Sequence, residues 1–302
     1  MRPLYRRLLI GVAILAGLLL VLIAAIVLLS SQEMSETYTV SAEEITIPTD
    51  EAALARGEYI VRAFAGCTDC HGDNLGGNAL IEEGGLLLAN VYGTNLTSGE
   101  GGIGGDYTDA DWVRAIRHGV GRDDQSLIIM PATHYQHLTE YDLGAVIAYI
   151  KSVPPVDQQM PENQIGLIFR ALMVFSDPPF LPAKLVEHDA PFTELEPSVS
   201  AEYGEYLADI ACTGCHNENL SGGAMAGASA DEPVPANLTQ LVNEEGYNEF
   251  SLVATLRSGQ KFEGGTIDTQ YMPWDKFNRL TDDDITALWL FLETLEPRPL
   301  GE

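Results

Sequence analysis

Two five-residue stretches limit what this chain can be more than any other feature: Cys67-Thr68-Asp69-Cys70-His71 and, 145 positions later, Cys212-Thr213-Gly214-Cys215-His216. The same landmarks follow each of them in the same order. Asn74-Leu75-Gly76-Gly77 returns as Asn219-Leu220-Ser221-Gly222, and Asn95-Leu96-Thr97 returns as Asn237-Leu238-Thr239. Met130-Pro131 returns as Met272-Pro273 and Leu138-Thr139 as Leu280-Thr281, all at an offset of 142. Ordered landmarks at a nearly constant offset mean two copies of one domain. The copies are placed at residues 50–155 and 198–300, which suits a chain of 302 residues, too long for one ordinary globular unit.

Each copy reads as helical. Asp50 opens a helix that passes through Leu54, Ile60, Val61 and Phe64 and delivers the chain to Cys67. Thr108 with Asp111 has capping-box spacing, and Gly119 is a plausible stop. Thr139 with Asp142 starts a helix that runs to about Lys151, ahead of Pro154-Pro155, and Thr281 with Asp284 repeats that start. Gly57-Glu58-Tyr59 and Gly204-Glu205-Tyr206 supply glycines for a close helix crossing, with Tyr149 and Phe291 as the expected partners. Glycine-rich loops, 99–105 and 222–227, separate the landmarks. Strand-like alternation is scarce, so the expected class is all-α, two like domains in tandem behind an apolar amino-terminal helix.

The chemistry follows from the motif. The chain has four cysteines, and all four lie in the two Cys-x-x-Cys-His units. This unit is the attachment signature of a c-type haem. Its thiols add across the two vinyl groups, and the histidine directly after is presented to the iron. A redox dithiol or a zinc site needs no histidine after both second cysteines, and a zinc ribbon would set its pairs far closer together. The expected haem-attaching residues are Cys67, Cys70, Cys212 and Cys215, and the iron-facing imidazoles are His71 and His216. A second axial ligand is needed, and Met130 and Met272, repeated in register before proline, are expected to provide it. His118, His134 and His137 are the rival ligands in the first copy; the second copy has no histidine after His216. Those three are expected at the surface or in loops. Asn95 and Asn237, and Arg117 and Arg257, are weaker candidates for contact with the haem propionates or the ligand loop.

Leu8 to Leu29 is an unbroken run of 22 apolar or glycine residues. At about 1.5 Å per residue it reaches roughly 33 Å, enough to cross a hydrocarbon core. Arg2, Arg6 and Arg7 precede it and Glu33, Glu36, Glu43 and Glu44 follow, which places the amino terminus in the cytoplasm. The run is too long for a signal peptide, ends without an Ala-x-Ala-like pattern and has no cysteine behind it for lipidation. Residues 1–30 are therefore expected to be an uncleaved anchor in the plasma membrane, with the haem domains on the extracytoplasmic side. Residues 31–49 read as a polar spacer, and 156–197 as a proline-rich inter-domain segment. The apolar island 165–175 within that segment is too short to span a membrane; it is expected to pack between the domains, the alternative being that it lies on a partner or bilayer surface.

The chain carries 44 acidic residues against 16 Lys and Arg, a formal net charge of −28. Such a surface repels nucleic acid and suits a redox protein with a basic docking surface; it sets no oligomeric state.

Each copy resembles a class I cytochrome c domain. The tandem is similar to the cytochrome c subunits of membrane-bound alcohol, aldehyde and gluconate dehydrogenases. The matching stretches are Tyr92-Gly93-Thr94-Asn95-Leu96-Thr97, the run from Trp112 to Gly119, Leu138-Thr139, and Tyr149 to Pro155. The segment after Pro161, with Arg170 and Pro178-Pro179, is also similar. The resemblance implies small helical bundles, each around one haem with His and Met ligands, and an electron-transfer role without catalysis. Those subunits commonly have three haem motifs and a carboxyl-terminal membrane association; this chain has two motifs and its apolar run at the start. The expected donor is a dehydrogenase or quinol-oxidising complex, and the acceptor a terminal oxidase. A fixed haem subunit of a respiratory or dehydrogenase complex is the alternative reading. A dihaem peroxidase would need an iron with an open coordination site.

Overall fold

The computed structural model describes residues 2–82, 88–176, 181–225 and 231–302. Pro178, Pro179 and Gly227 lie outside the described residues. The chain begins with one long helix, α1 (Arg2–Met34). Its apolar side chains stand open, Leu15 at 69% and Leu28 at 70% exposure, and the helix is long and apolar enough to cross a membrane.

Two similar helical sets follow. The first is α2 (Glu51–Tyr59), α3 (Cys67–His71), α4 (Asp109–His118), α5 (Ala132–Tyr135) and α6 (Glu140–Ser152). Its ends are set by local chemistry. Asp50 accepts a hydrogen bond from the Ala53 amide, and Thr108 and Asp111 form the full reciprocal capping box. Gly119, at φ 64°, takes the left-handed stop. Between α2 and α3 the chain widens into a π turn over Ile60–Phe64, whose residues are buried apart from Arg62.

The second set, after a short helix α7 (Leu167–Phe175), is α8 (Ala201–Ala211), α9 (Thr213–His216), α10 (Leu238–Leu241), α11 (Glu249–Ser258), α12 (Trp274–Phe277) and α13 (Asp282–Leu292). Thr139 and Thr281 accept from the amides of Asp142 and Asp284 at the starts of α6 and α13.

The structure is mostly helical, and the all-α expectation needs one correction. Strands β1 (Asn78–Glu82) and β2 (Ala89–Gly93) pair antiparallel with an irregularity between Ala79 and Ile81. Strand β3 (Gln164–Ile165) joins the other edge of β2. Its partner lies more than 70 residues earlier, so no local alternation announces the pairing.

In both sets the opening helix crosses the closing helix at a glycine. A Cβ on Gly57 would sit 2.0 Å from the Ala145 carbonyl oxygen and 2.8 Å from the Tyr149 Cβ. On Gly204 the distances are again 2.0 Å, to the Ala287 oxygen, and 2.8 Å, to the Phe291 Cβ. Alanine normally stabilises a helix interior by up to about 1 kcal/mol over glycine. Here the backbone contact outweighs that gain, and Gly204→Ala is expected to destabilise by about 1–3 kcal/mol. A raised denaturation midpoint would contradict this crossing.

The two sets dock through a polar network with near two-fold character. Tyr206 donates to Asp142 Oδ2 at 2.6 Å, and Tyr59, its counterpart, donates to Asp284. The Thr281 amide donates to the Tyr59 hydroxyl at 3.0 Å. The symmetry breaks at Arg56, which pairs with both oxygens of Asp142 (2.8 and 2.6 Å) and reaches the Tyr203 hydroxyl at 3.0 Å. Asp142 and Asp284 are both buried, and each is satisfied across the docking surface as well as at its own helix start.

Two expectations, the surface position of His118 and the inter-domain packing of 165–175, are overturned. Residues 31–34 extend α1, and the following stretch lies along the first helical set. The Tyr38 amide bonds the Asp124 carbonyl at 2.7 Å, and Ile45 and Ile47 pack on the core. His118, expected near the surface, is 0% exposed. Its ring reaches Glu43 Oε2 at 2.9 Å and His188 Nδ1 at 3.1 Å, partners about 70 residues away in both directions. The island 165–175 does not fill the space between the domains: α7 packs on α1, and Arg170 bonds the Ser30 and Ser31 hydroxyls at 3.0 and 3.1 Å.

Candidate haem sites

The first site forms where α3 faces the segment before α5. Cys67, Cys70, His71 and Met130 line one cleft although 59 residues separate His71 from Met130. The rest of the lining is largely apolar and includes Leu96, Ile116, Leu127, Ile129, Val146 and Ile150. Gly66 at φ 63° starts the motif turn, and Gly72 at φ 77°, ψ 158° ends it. In the second copy Asn217 holds the same place at φ 65°, ψ 160°. That is a conformation costly for a residue with a Cβ, so the turn after the histidine is held by the surrounding fold.

The imidazoles are oriented alike. His71 Nδ1 lies 2.7 Å from the Thr94 carbonyl, and His216 Nδ1 lies 2.7 Å from the Ala236 carbonyl. A carbonyl can only accept, so Nδ1 carries the proton and Nε2 keeps its lone pair for a metal. Burial pushes both rings below the ordinary imidazole value, against the upward pull of those carbonyls. The neutral form, the one that can ligate, is therefore favoured.

The cysteines do not resemble a redox pair. Burial pushes the Cys67 and Cys212 thiols up to about 12, opposite to the depressed values of reactive Cys-x-x-Cys motifs. None is in a disulfide. Among the described residues no cluster of three or more His, Cys, Asp or Glu side chains could hold a metal ion on its own. Trp112 provides the complementary observation. It lines the first cleft, and its buried Nε1–H has no hydrogen-bond partner. An apolar slot containing thiols, an oriented imidazole, a thioether and an unused donor fits a porphyrin with anionic propionates.

Met130 and Met272 sit on matching bends. The next residues, Pro131 (φ −81°, ψ 52°) and Pro273 (φ −79°, ψ 58°), are nearly superimposable in backbone. The methionine carbonyls each accept a 2.8 Å bond, from the Ala132 and Trp274 amides. Arg117 braces the first loop through the Gln136 carbonyl at 2.6 Å, and Arg257 braces the second through Asn278 at 2.7 Å. Asn95 and Asn237 are used differently from a propionate contact. Their amides bond the carbonyls of Val156 and Arg298, residues 142 apart, and tie down the chain leaving each closing helix.

Sequence reasoning did not anticipate Thr94 and Ala236, because their role is a backbone carbonyl that any side chain can accompany. Trp112 was visible only as one member of a longer similar stretch. Leu252 holds its place in α11, so the indole donor belongs to the first site alone.

Each ligand loop also touches the other domain's motif. His134, four residues after Met130, places Nδ1 3.1 Å from Thr213 Oγ1, and a Cβ on Gly214 would lie 3.1 Å from its Nε2. Lys276, four residues after Met272, places Nζ 3.8 Å from Asp69 and 3.6 Å from Asp73. Thr213, Gly214 and Asp69 are residues between the paired cysteines. The remaining rival, His137, is exposed.

Comparison with known proteins shows two cytochrome c domains. A family model described as cytochrome c oxidase, cbb3-type, subunit III matches residues 52–150, and one described as cytochrome c matches 201–296. A nicotinate dehydrogenase subunit of Pseudomonas putida is 35% identical over 269 residues, covering 82% of this chain and 22% of the relative. The gluconate 2-dehydrogenase cytochrome c subunit of Pantoea cypripedii is 30% identical over 278 residues, covering 82% and 60%. A diheme cytochrome c-type protein of Cereibacter sphaeroides is 30% identical over 181 residues, covering 56% and 57%. The chain spans less than two thirds of the length of each of these relatives.

Proposed function

This chain carries two cytochrome c domains and two covalently bound haem c groups, and is homologous to the cytochrome c subunits of quinone-dependent dehydrogenases; from that premise we propose a membrane-anchored dihaem electron carrier. The two haem domains are residues 50–155 and 198–300, behind an anchor at 1–30. The observation that carries the reading is the first cleft, where two thiols, an oriented imidazole and a thioether meet in an apolar slot. Haem, when bound, supplies a one-electron iron couple. Cys67 and Cys70 hold it through thioethers, as do Cys212 and Cys215. His71 with Met130, and His216 with Met272, would ligate the iron. The Thr94 and Ala236 carbonyls keep the imidazoles turned. A histidine and a methionine at each iron would leave no open site for substrate, which favours a carrier over a dihaem peroxidase.

Met130→His tests the ligand assignment. A thioether ligand raises the reduction potential relative to a second imidazole. The variant is expected to lose half of the far-red methionine-to-iron charge-transfer absorption of the oxidised protein and to lower one of two potentials. Unchanged absorption would remove Met130 from the iron.

The exchanged contacts of His134 and Lys276 support electron transfer directly between the haems. After reduction by a single electron, redistribution between them is expected at a rate independent of protein concentration; a rate proportional to concentration would mean exchange between molecules.

The relatives that are dehydrogenase subunits favour a second reading, a haem subunit fixed in such a complex, with a dehydrogenase or quinol-oxidising donor and an oxidase acceptor. Co-purification from solubilised membrane separates it from a mobile carrier. Arg2, Arg6 and Arg7 support a cytoplasmic amino terminus, with the haem domains on the opposite face of the plasma membrane. The net charge of −28 supports a basic partner, whose association rate is expected to fall steeply as salt rises.

A further inference from the structure

Helix α7 has an apolar stripe that the protein leaves uncovered. Its nine residues, Leu167–Phe175, contain one charge, Arg170. Ile168, Leu172 and Phe175 are 47%, 37% and 69% exposed, and their spacing of four and three puts them on one face. Met173 is buried, and Arg170 turns to the Ser30 and Ser31 hydroxyls, the first polar groups beyond the apolar run of α1.

The seat of α7 lies below the polar end of the span. Ser30 is fully buried, and the face of α1 beneath it continues through Ile26, also buried, to the half-buried Ile23, while neighbours such as Leu28 stay open. From Ser30 to Ile23 is roughly 10 Å along the helix axis. The uncovered stripe of α7 is thus continuous with the lipid-facing surface of α1. Nine residues, about 13.5 Å of helix, cannot span a bilayer, but an apolar helix of this kind is buried at the boundary of headgroups and acyl chains.

We propose that α7 is a second membrane element, seated beside the anchor in the leaflet at its Ser30 end, with the 168–172–175 stripe in lipid. Arg170 is consumed by the serines at the level where charge must leave the hydrocarbon. A single helix lets a domain swing about its axis. Two membrane contacts fix the first haem domain's orientation to the bilayer, and the Arg170 contact is the hinge pin between them.

The proposal rests on α1 crossing the membrane, and the experiment tests both. With all four native cysteines in thioethers, an introduced cysteine is the sole free thiol; the unsubstituted protein checks this by failing to label. Leu172→Cys and Phe175→Cys probe the stripe. Leu15→Cys probes the span, and Phe250→Cys, 82% exposed on the second domain, probes water. Each full-length holoprotein is nitroxide-labelled and placed in phosphatidylcholine/phosphatidylglycerol vesicles, with haem absorbance as the check on folding. Labels at 172 and 175 are expected to collide with oxygen as the label at 15 does, and several-fold less with a water-soluble nickel chelate than the label at 250. Behaviour like 250, with 15 in lipid, overturns the proposal and leaves the anchor standing. Shielding at 172 and 175 from both relaxers overturns it in favour of a protein contact. Water exposure at 15 overturns the span and the proposal together.

Discussion

Replacing Cys212 and Cys215 with serine is expected to leave one covalent haem per chain instead of two. The mass of the denatured protein should fall by one haem, and the haem absorbance per chain should fall by half. Haem stain should persist on a denaturing gel because Cys67 and Cys70 lie in a separate helical set. The second domain should suffer in stability as well as in content. Met272 and Cys212 pack against the core, and a domain of about 100 residues that loses the group filling its centre loses a large part of its buried apolar surface. Cys67→Ser with Cys70→Ser should give the mirror result, leaving the haem that has no indole donor beside it. Two haems still covalently bound after either double substitution, or none after one, would refute the assignment of one haem to each motif.

Asp142→Leu should be the most damaging substitution outside the haem sites. Asp142 is 3% exposed and accepts from Arg56 Nε and Nη2 and from the Tyr206 hydroxyl, at 2.8, 2.6 and 2.6 Å. Burial alone would lower the Arg56 pKa, but the bonds and charge of Asp142 outweigh it and hold the guanidinium firmly protonated. Leucine would leave that cation and the Tyr206 hydroxyl facing an apolar side chain. Removing one member of a buried pair costs about 3–5 kcal/mol, a large share of the stability of a domain this size. Asp284→Leu should cost less, because its carboxylate accepts from the Tyr59 hydroxyl and leaves no buried cation behind. Adding Arg56→Met to Asp142→Leu should recover much of the loss, since the uncompensated charge goes too. Denaturant midpoints of the three variants check this order; equal midpoints for Asp142→Leu and Asp284→Leu would show that Arg56 contributes nothing.

Much of this architecture was readable residue by residue. Asp50, Thr108, Thr139 and Thr281 cap helices because a short polar side chain three residues before a free amide satisfies it wherever the helix sits. Gly57 and Gly204 marked the crossings because only a missing Cβ permits contact with a neighbouring backbone. The segments that sequence misplaced share a different property. Glu43 meets His118 from 75 positions away, β3 meets β2 across more than 70, and Arg170 meets Ser30 across 140. Each of these contacts depends on which surfaces the folded domains present, and no local periodicity encodes that.

The two Cys-x-x-Cys-His motifs, the paired Met-Pro bends and the apolar run were legible from residues alone, because attachment signatures, proline turns and helix length are properties of short stretches. That each Met-Pro loop rests on the other domain's motif, that Trp112 holds an unused donor at one cleft, and that α7 lies against α1 became visible only in the folded molecule. Those arrangements come from burying charge and apolar area between parts distant along the chain, a balance settled when the whole molecule packs.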